Sequence, residues 1–202
     1  MKIICVGRNY LDHIKELKNK MPDEPVIFMK PDSSILQRGK PFFIPSFSDN
    51  IHYEAEVVVR INRLGKSIQA KFAHKYYNEL TLGIDFTARD LQNELKKKSL
   101  PWERAKAFDG SAALGKWIKK GDLDLKALPF SLDINGTTVQ DGNTSDMMWS
   151  IDQLIEEISK YFTLKIGDLI FTGTPAGIGK VNTNDTLTGF IDGQEVMNFR
   201  VK

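Results

Sequence analysis

The sequence predicts an α+β fold in which strands dominate. Short apolar or alternating segments outnumber helical periods, and Asn135-Gly136 and Asp192-Gly193 stand as hairpin turns between alternating stretches. The few helical patterns fall at irregular intervals, so α+β fits better than a regularly alternating α/β chain.

In chain order, residues 3–6 read as a first strand. Asn9 is positioned to cap a short helix, with Asp12 as a capping-box-like partner, and Tyr10, Ile14 and Leu17 recur at helical spacing and should face inward. The polar run 18–25, broken by Pro22 and Pro25, predicts a mobile loop. Residues 26–30 predict a buried strand stopped by Pro31, and 39–50 a Pro-punctuated connection. Ile68, Phe72, Tyr76 and Leu80 suggest a helix, while residues 80–86 read as a short apolar strand ending on Asp85. Thr87 with Asp90 has the spacing of a second helix start, and that helix ends in Lys96-Lys97-Lys98, whose charge complements its C-terminal dipole. Ser150 opens the clearest amphipathic helix, with Ile151, Leu154, Ile155 and Ile158 on one side. No repeat, low-complexity tract or long linker interrupts the chain, so residues 1–202 are expected to form a single domain.

With 41% apolar and 27% charged residues, the composition is that of a soluble globular protein. A formal net charge of +2 gives no global case for nucleic acid, and the triple lysine reads as a solvated helix end. Cys5 is the only cysteine, which excludes an internal disulfide and suits a reducing cytoplasm. No apolar run reaches membrane-spanning length, and the N-terminus is too short for a signal-peptide core, so a cytoplasmic protein is expected.

Glu54 and Glu56 precede Val57-Val58-Val59. Alternation along a strand puts both acids on one side, roughly 6–7 Å apart at Cα, with His52 and Arg60, while Tyr53, Ala55, Val57 and Val59 make the apolar face. Two neighbouring anions repel unless water, a cationic side chain or a hard cation neutralises them, and a solvated strand face explains them about as well as a metal site. Asp85, ending a second apolar strand, tips that balance, because a buried stretch seldom carries an unpaired charge. Three carboxylates suit Mg²⁺ or Mn²⁺, whereas one Cys and three scattered His argue against zinc.

His13 and Glu16 share a helix face, where Glu16 would orient the imidazole as a general base, although a surface His beside a solvated Glu is the commoner arrangement. His52 and His74 have less claim to a role. Lys106 could present a charge to a substrate carboxylate or simply snorkel to solvent. The Gly-rich run 171–179 has the wrong glycine spacing for a P-loop, yet its amides and the Thr174 hydroxyl could hold an anion.

Taken together, six segments in order resemble the fumarylacetoacetate hydrolase family, most nearly its small acylpyruvase and oxaloacetate decarboxylase branch. They are Val6-Gly7-Arg8-Asn9-Tyr10 with His13, residues 25–31, His52-Tyr53-Glu54-Ala55-Glu56, residues 83–92, Lys106-Ala107-Phe108-Asp109, and residues 167–175. The resemblance implies a mixed β-roll, a homodimer, and Glu54, Glu56 and Asp85 as ligands of Mg²⁺ or Mn²⁺. It implies His13 and Glu16 as a catalytic dyad on a segment that closes over substrate. Arg8, Gln92, Lys106 and Thr174 match substrate-pocket positions, with Arg89 and Lys30 as further members.

The implied activity is metal-dependent C–C cleavage of a 2-oxo acid through a pyruvate enolate stabilised by the cation, as acylpyruvate hydrolase or oxaloacetate decarboxylase. The alternative is an isomerase or tautomerase of an unsaturated 2-oxo or 2-hydroxydiene dioate. A non-catalytic binding module is disfavoured, since it has no need of the dyad.

Overall fold

A computed structural model describes residues 1–17, 20–121 and 123–202. The chain opens with strand β1 (Ile3–Gly7) and the short helix α1 (Leu11–Glu16), followed by β2 (Val26–Lys30). Next come β3 (Ile51–Tyr53), β4 (Ala55–Ile61), the single turn α2 (Ala70–Ala73), β5 (Tyr77–Asp85), β6 (Thr87–Ala88), α3 (Arg89–Lys97) and α4 (Glu103–Lys106). Then follow β7 (Ala112–Leu114), β8 (Ile118–Lys119), β9 (Pro129–Ile134), β10 (Thr137–Asn143) and α5 (Ile151–Tyr161). The chain finishes with β11 (Leu169–Phe171), β12 (Gly179–Lys180), β13 (Thr186–Ile191) and β14 (Gln194–Arg200).

The largest sheet runs β2-β1-β11-β4-β5-β7, with β8 also paired to β5. It is mixed: β1 and β11 are parallel and their other neighbours antiparallel. Its central strands read as apolar runs because both faces are covered. One face joins the main core, which includes Ile4, Val57, Val59, Leu80, Leu82 and Ile84. The other buries Ile3, Cys5, Val58, Ala112, Leu169 and Phe171. A second sheet, β10-β9-β13-β14, is built on the two expected hairpins, whose turn residues Asn135 and Asp192 take φ of 53° and 49°. A third sheet, β12-β3-β6, continues the acidic segment beyond Glu54. Helix α5 carries the expected stripe, and Ser150 with Gln153 forms a full capping box.

Four local expectations are corrected. Asn9 does not cap α1; Tyr10 holds the N-cap position without a side-chain bond, and Asp12 pairs with Lys15 instead. Asn9 ties the segment to the fold, donating to the carbonyls of Trp149 and Thr172 and accepting from Trp149 N–H. The helical spacing of Ile68, Phe72, Tyr76 and Leu80 yields only α2, because Tyr77 onward joins the sheet as β5 and Phe72 stays 45% exposed. Thr87 lies in β6, so α3 starts from Ala88 without a side-chain cap, and Asp90 accepts from Ser48 Oγ and Asp49 N–H. Strand β2 is half-buried except at Lys30, as an edge strand must be. Of the loop expected over 18–25, Lys18 and Asn19 lie outside the described residues, and 20–25 holds no helix or strand.

Candidate metal and substrate site

Strand register brings the three acids together. Strands β4 and β5 pair Ala55 with Ile84 and Glu56 with Gly83, and Asp85 N–H donates to the Glu54 carbonyl at 2.9 Å. Asp85 therefore lies across from Glu54, and period-2 alternation puts all three side chains on one face. Gly83, paired with Glu56, lets Phe171 and Val58 pack against the backbone there, since a Cβ would meet both at 2.6 Å. All three carboxylates are buried, and each offers an oxygen within 4.8 Å of the others.

Cations surround this cluster unevenly. Lys106 donates to Glu54 Oε2 and Asp85 Oδ2, both at 2.7 Å, and to Thr87 Oγ1. Arg89, the first residue of α3, bonds Glu54 Oε1 and also donates to Gln92 Oε1 at 2.7 Å. Lys30 Nζ lies 2.7 Å from Asp85 Oδ1 and donates to Ser111 and to the Lys106 carbonyl. Glu56 has no cationic partner among the described residues; its Oε2 accepts from Gly173 N–H at 2.7 Å. Burial, with Asp85 and Glu54 close by, pushes the Glu56 carboxyl well above the usual range. For Glu54 burial acts upward too, but Lys106 and Arg89 outweigh it and hold the group ionised. Lys106 is therefore a fully paired lysine between two acids, not a snorkelling one.

The donor set fits a hard divalent cation. All three groups are carboxyls, and among the described residues Glu56 lacks a cationic partner and buried Asp85 Oδ1 accepts no hydrogen bond despite its contact with Lys30.

Around the acids, one cavity is lined by Arg8, His13, Arg89, Gln92, Lys106 and Thr174, all anticipated, and by Phe28, Lys96 and Trp102. Arg8 takes φ of 61°, an uncommon conformation for a side-chain-bearing residue. His13 is 5% exposed, and its Nδ1 lies 3.2 Å from Glu16 Oε2. A carboxylate only accepts, so a neutral imidazole there donates from Nδ1 and keeps its lone pair on Nε2. Burial lowers the His13 pKa, a shift that Glu54 and Glu16 partly offset. Glu16 Oε1 also accepts from Gly177 N–H at 3.1 Å. Two amides of the Gly-rich loop thus donate to the protein's own carboxyl groups, those of Glu56 and Glu16.

Outside the cavity lining, His52 bonds Asn50 and His74 is exposed. Lys96, in place of the solvated helix end expected from the triple lysine, is half-buried, with its ammonium 5.3 Å from the Trp102 ring centroid. Burial and the charges of Arg89, Arg8 and Lys106 lower its pKa to about 8. Its signal was available, since Arg89, Gln92 and Lys96 recur on one face of α3. Gln140, buried beside Thr174, had no such signal.

The profile of the fumarylacetoacetate (FAA) hydrolase C-terminal family matches residues 2–202. The chain is 42% identical over 201 residues to the mitochondrial oxaloacetate tautomerase of Rattus norvegicus, covering 99% of this chain and 91% of that protein. It is 41% identical over 194 residues to the mitochondrial oxaloacetate decarboxylase of Dictyostelium discoideum, covering 95% and 89%. The crystal structure of fumarylpyruvate hydrolase from Pseudomonas aeruginosa in complex with Mn²⁺ and pyruvate matches with a TM-score of 0.93 at 33% identity, covering 100% of this chain and 89% of that one. The β-rich α+β architecture expected from the sequence is the one shared with that crystal structure.

Proposed function

The chain belongs to the fumarylacetoacetate hydrolase family, and from that membership we propose that it is a divalent-metal-dependent enzyme cleaving a C–C bond of a 2-oxo acid, as an acylpyruvate hydrolase, an oxaloacetate decarboxylase or both. The observation that carries this reading is the gathering of Glu54, Glu56 and Asp85 in the cavity that also holds His13, itself bonded to Glu16.

Glu54, Glu56 and Asp85 would hold Mg²⁺ or Mn²⁺, and the Mn²⁺ in the Pseudomonas aeruginosa relative supports that choice of ion class. When bound, the cation supplies Lewis acidity that favours negative charge on the substrate's oxygens. His13, oriented through Nδ1 by Glu16, takes a proton at Nε2 from the water that attacks the C4 carbonyl of an acylpyruvate. Gln92 spends its amide oxygen on Arg89, which leaves its NH₂ to donate to a substrate carboxylate. Arg8 and Thr174 add a charge and a hydroxyl at the same cavity. Lys106 and Arg89 keep Glu54 ionised and fixed, and Lys30 does the same for the position of Asp85.

A second reading has the His13–Glu16 pair shuttle a proton on an oxaloacetate-like or unsaturated dioate substrate, as an isomerase or tautomerase. The name of the Rattus norvegicus relative favours it. Incubation with Mg²⁺ or Mn²⁺ and a panel of acylpyruvates, oxaloacetate and an unsaturated dioate separates the two. Metal-dependent pyruvate release supports cleavage; an ultraviolet change without pyruvate supports isomerisation. No change on any substrate would remove both.

Lys96, with no acidic partner among the described residues, lies on the α3 face that lines the cavity. Lys96→Met is expected to raise KM for a dianionic 2-oxo acid by about tenfold, and much less for a monoanionic one, since a partly desolvated ion pair is worth about 1–2 kcal/mol. Equal effects on both substrates would remove Lys96 from substrate recognition.

Residues 1–202 are taken as one catalytic unit, supported by a core that reaches from Ile4 to Val201. A homodimer is proposed as well, supported by Phe43 and Phe47, 64% and 53% exposed. Among the described residues no helix is long and apolar enough to cross a membrane. Cytoplasmic placement is proposed on the strength of the lone, buried Cys5.

A further inference from the structure

Gln140 lies on β10, next to a register shift between Thr138 and Gln140, and is 1% exposed. The Gly-rich loop packs against this bulge so closely that a Cβ on Gly177, whose φ is 95°, would sit 2.3 Å from the Val139 carbonyl. From here the Gln140 side chain reaches two parts of the site. Its Oε1 accepts from Ala55 N–H at 2.9 Å, between Glu54 and Glu56. Its Nε2 donates to Thr174 Oγ1 at 2.8 Å and to the Pro175 carbonyl at 3.0 Å.

These neighbours fix the orientation of the amide. A backbone N–H can only donate and a carbonyl can only accept, so the end facing Ala55 is the oxygen and the end facing Pro175 is the NH₂. One hydrogen of that NH₂ goes to Pro175 and the other to Thr174. The Thr174 hydroxyl is therefore used as an acceptor on its buried side. Among the described residues nothing accepts its own proton, and Thr174 lines the cavity. We infer that Gln140 is a positioning residue that turns the Thr174 hydroxyl so that its proton points to an oxygen of the bound substrate.

This rests on the reading that a 2-oxo acid occupies the cavity, and the test keeps the two claims apart. Pyruvate binding to the Mn²⁺-loaded protein is measured by calorimetry for the parent, Thr174→Val, Gln140→Met and the double variant, with the folded fraction checked for each. Each single change is expected to weaken pyruvate on the order of tenfold, the worth of one hydrogen bond to a charged oxygen. In the Thr174→Val background, Gln140→Met should cost almost nothing more, because the two act as a unit. A purely structural Gln140 would instead leave pyruvate affinity unchanged in the folded fraction, or give fully additive losses; either result overturns the inference.

Gln140→Glu keeps the size and the acceptor for Ala55 but offers Thr174 an acceptor, so it should weaken pyruvate as well, and it decides the matter if Gln140→Met does not fold. Pyruvate bound equally by the parent and all variants sinks the inference and leaves the proposed function standing. A parent that binds no pyruvate with Mn²⁺ removes both.

Discussion

Glu56→Gln is expected to lower metal-dependent turnover on the order of a thousandfold while leaving the metal-free protein at least as stable as the parent. Glu56 is the one acid of the cluster with no cationic partner among the described residues, and its ionised form is disfavoured by burial and by Asp85 and Glu54. A bound divalent cation would supply the missing counter-charge. Losing that ligand removes several kcal/mol of charge stabilisation, on the order of a thousandfold in rate.

The glutamine keeps an amide oxygen for Gly173 N–H, so the loop contact survives. In chelator the parent has a folded-state Glu56 pKa above its unfolded value. Its stability is therefore fully present at low pH, where both states are protonated, and declines as pH rises through the folded-state pKa. Glu56→Gln should not show that decline. Thermal melts in chelator and in Mn²⁺ check both halves: the parent melting temperature should rise with Mn²⁺ through mass action and that of the variant should not. An equal rise in both would remove Glu56 from metal binding.

The acids were legible because their signal is local. A two-residue spacing on a strand fixes the face, and an aspartate closing an apolar run is conspicuous in any context. Helix α5 and both hairpins were legible for the same reason, since Ser150 with Gln153, Asn135-Gly136 and Asp192-Gly193 encode their geometry within four residues. What compensates the acids was not readable from the residues themselves. Lys106, Arg89 and Lys30 reach Glu54 and Asp85 across long stretches of chain, and no local pattern separates a buried, paired lysine from an exposed one. The residues alone mark Lys106 as a charge for a substrate carboxylate but not as a partner of the acids, only the family resemblance points to Arg89 and Lys30, and Gln140 depends on a bulge in the second sheet that no local pattern announces. The helix expected over Ile68 to Leu80 failed in the opposite way. Apolar residues four apart fit a helix, but Tyr77 to Asp85 gains a partner on each side as a sheet strand, and tertiary pairing overrides a short helical period.

His13→Asn is expected to lower acylpyruvate hydrolysis by about a hundred- to ten-thousandfold, the usual worth of a positioned general base. The pH profile carries the more specific information. Burial lowers the His13 pKa beneath its ordinary 6.5, so the imidazole is neutral at pH 7 and able to accept a proton. The acid limb of kcat/KM should therefore lie below pH 6.5, with the rate falling as pH drops and His13 charges. Glu16 raises that pKa, so Glu16→Gln should move the acid limb lower and reduce the plateau, because the imidazole becomes a weaker base. A profile unchanged by Glu16→Gln, or full hydrolysis by His13→Asn, would show that the proton passes through another group.

The same variant sorts the candidate reactions. Hydrolysis needs an activated water, and tautomerisation needs a proton taken from one position and returned at another, so both should collapse without His13. Loss of CO₂ from oxaloacetate needs no attacking water and should survive His13→Asn far better, provided Glu54, Glu56 and Asp85 are intact. A variant that still releases pyruvate from oxaloacetate but no longer cleaves acylpyruvates would assign decarboxylation to the acid cluster and hydrolysis to the dyad, within one cavity.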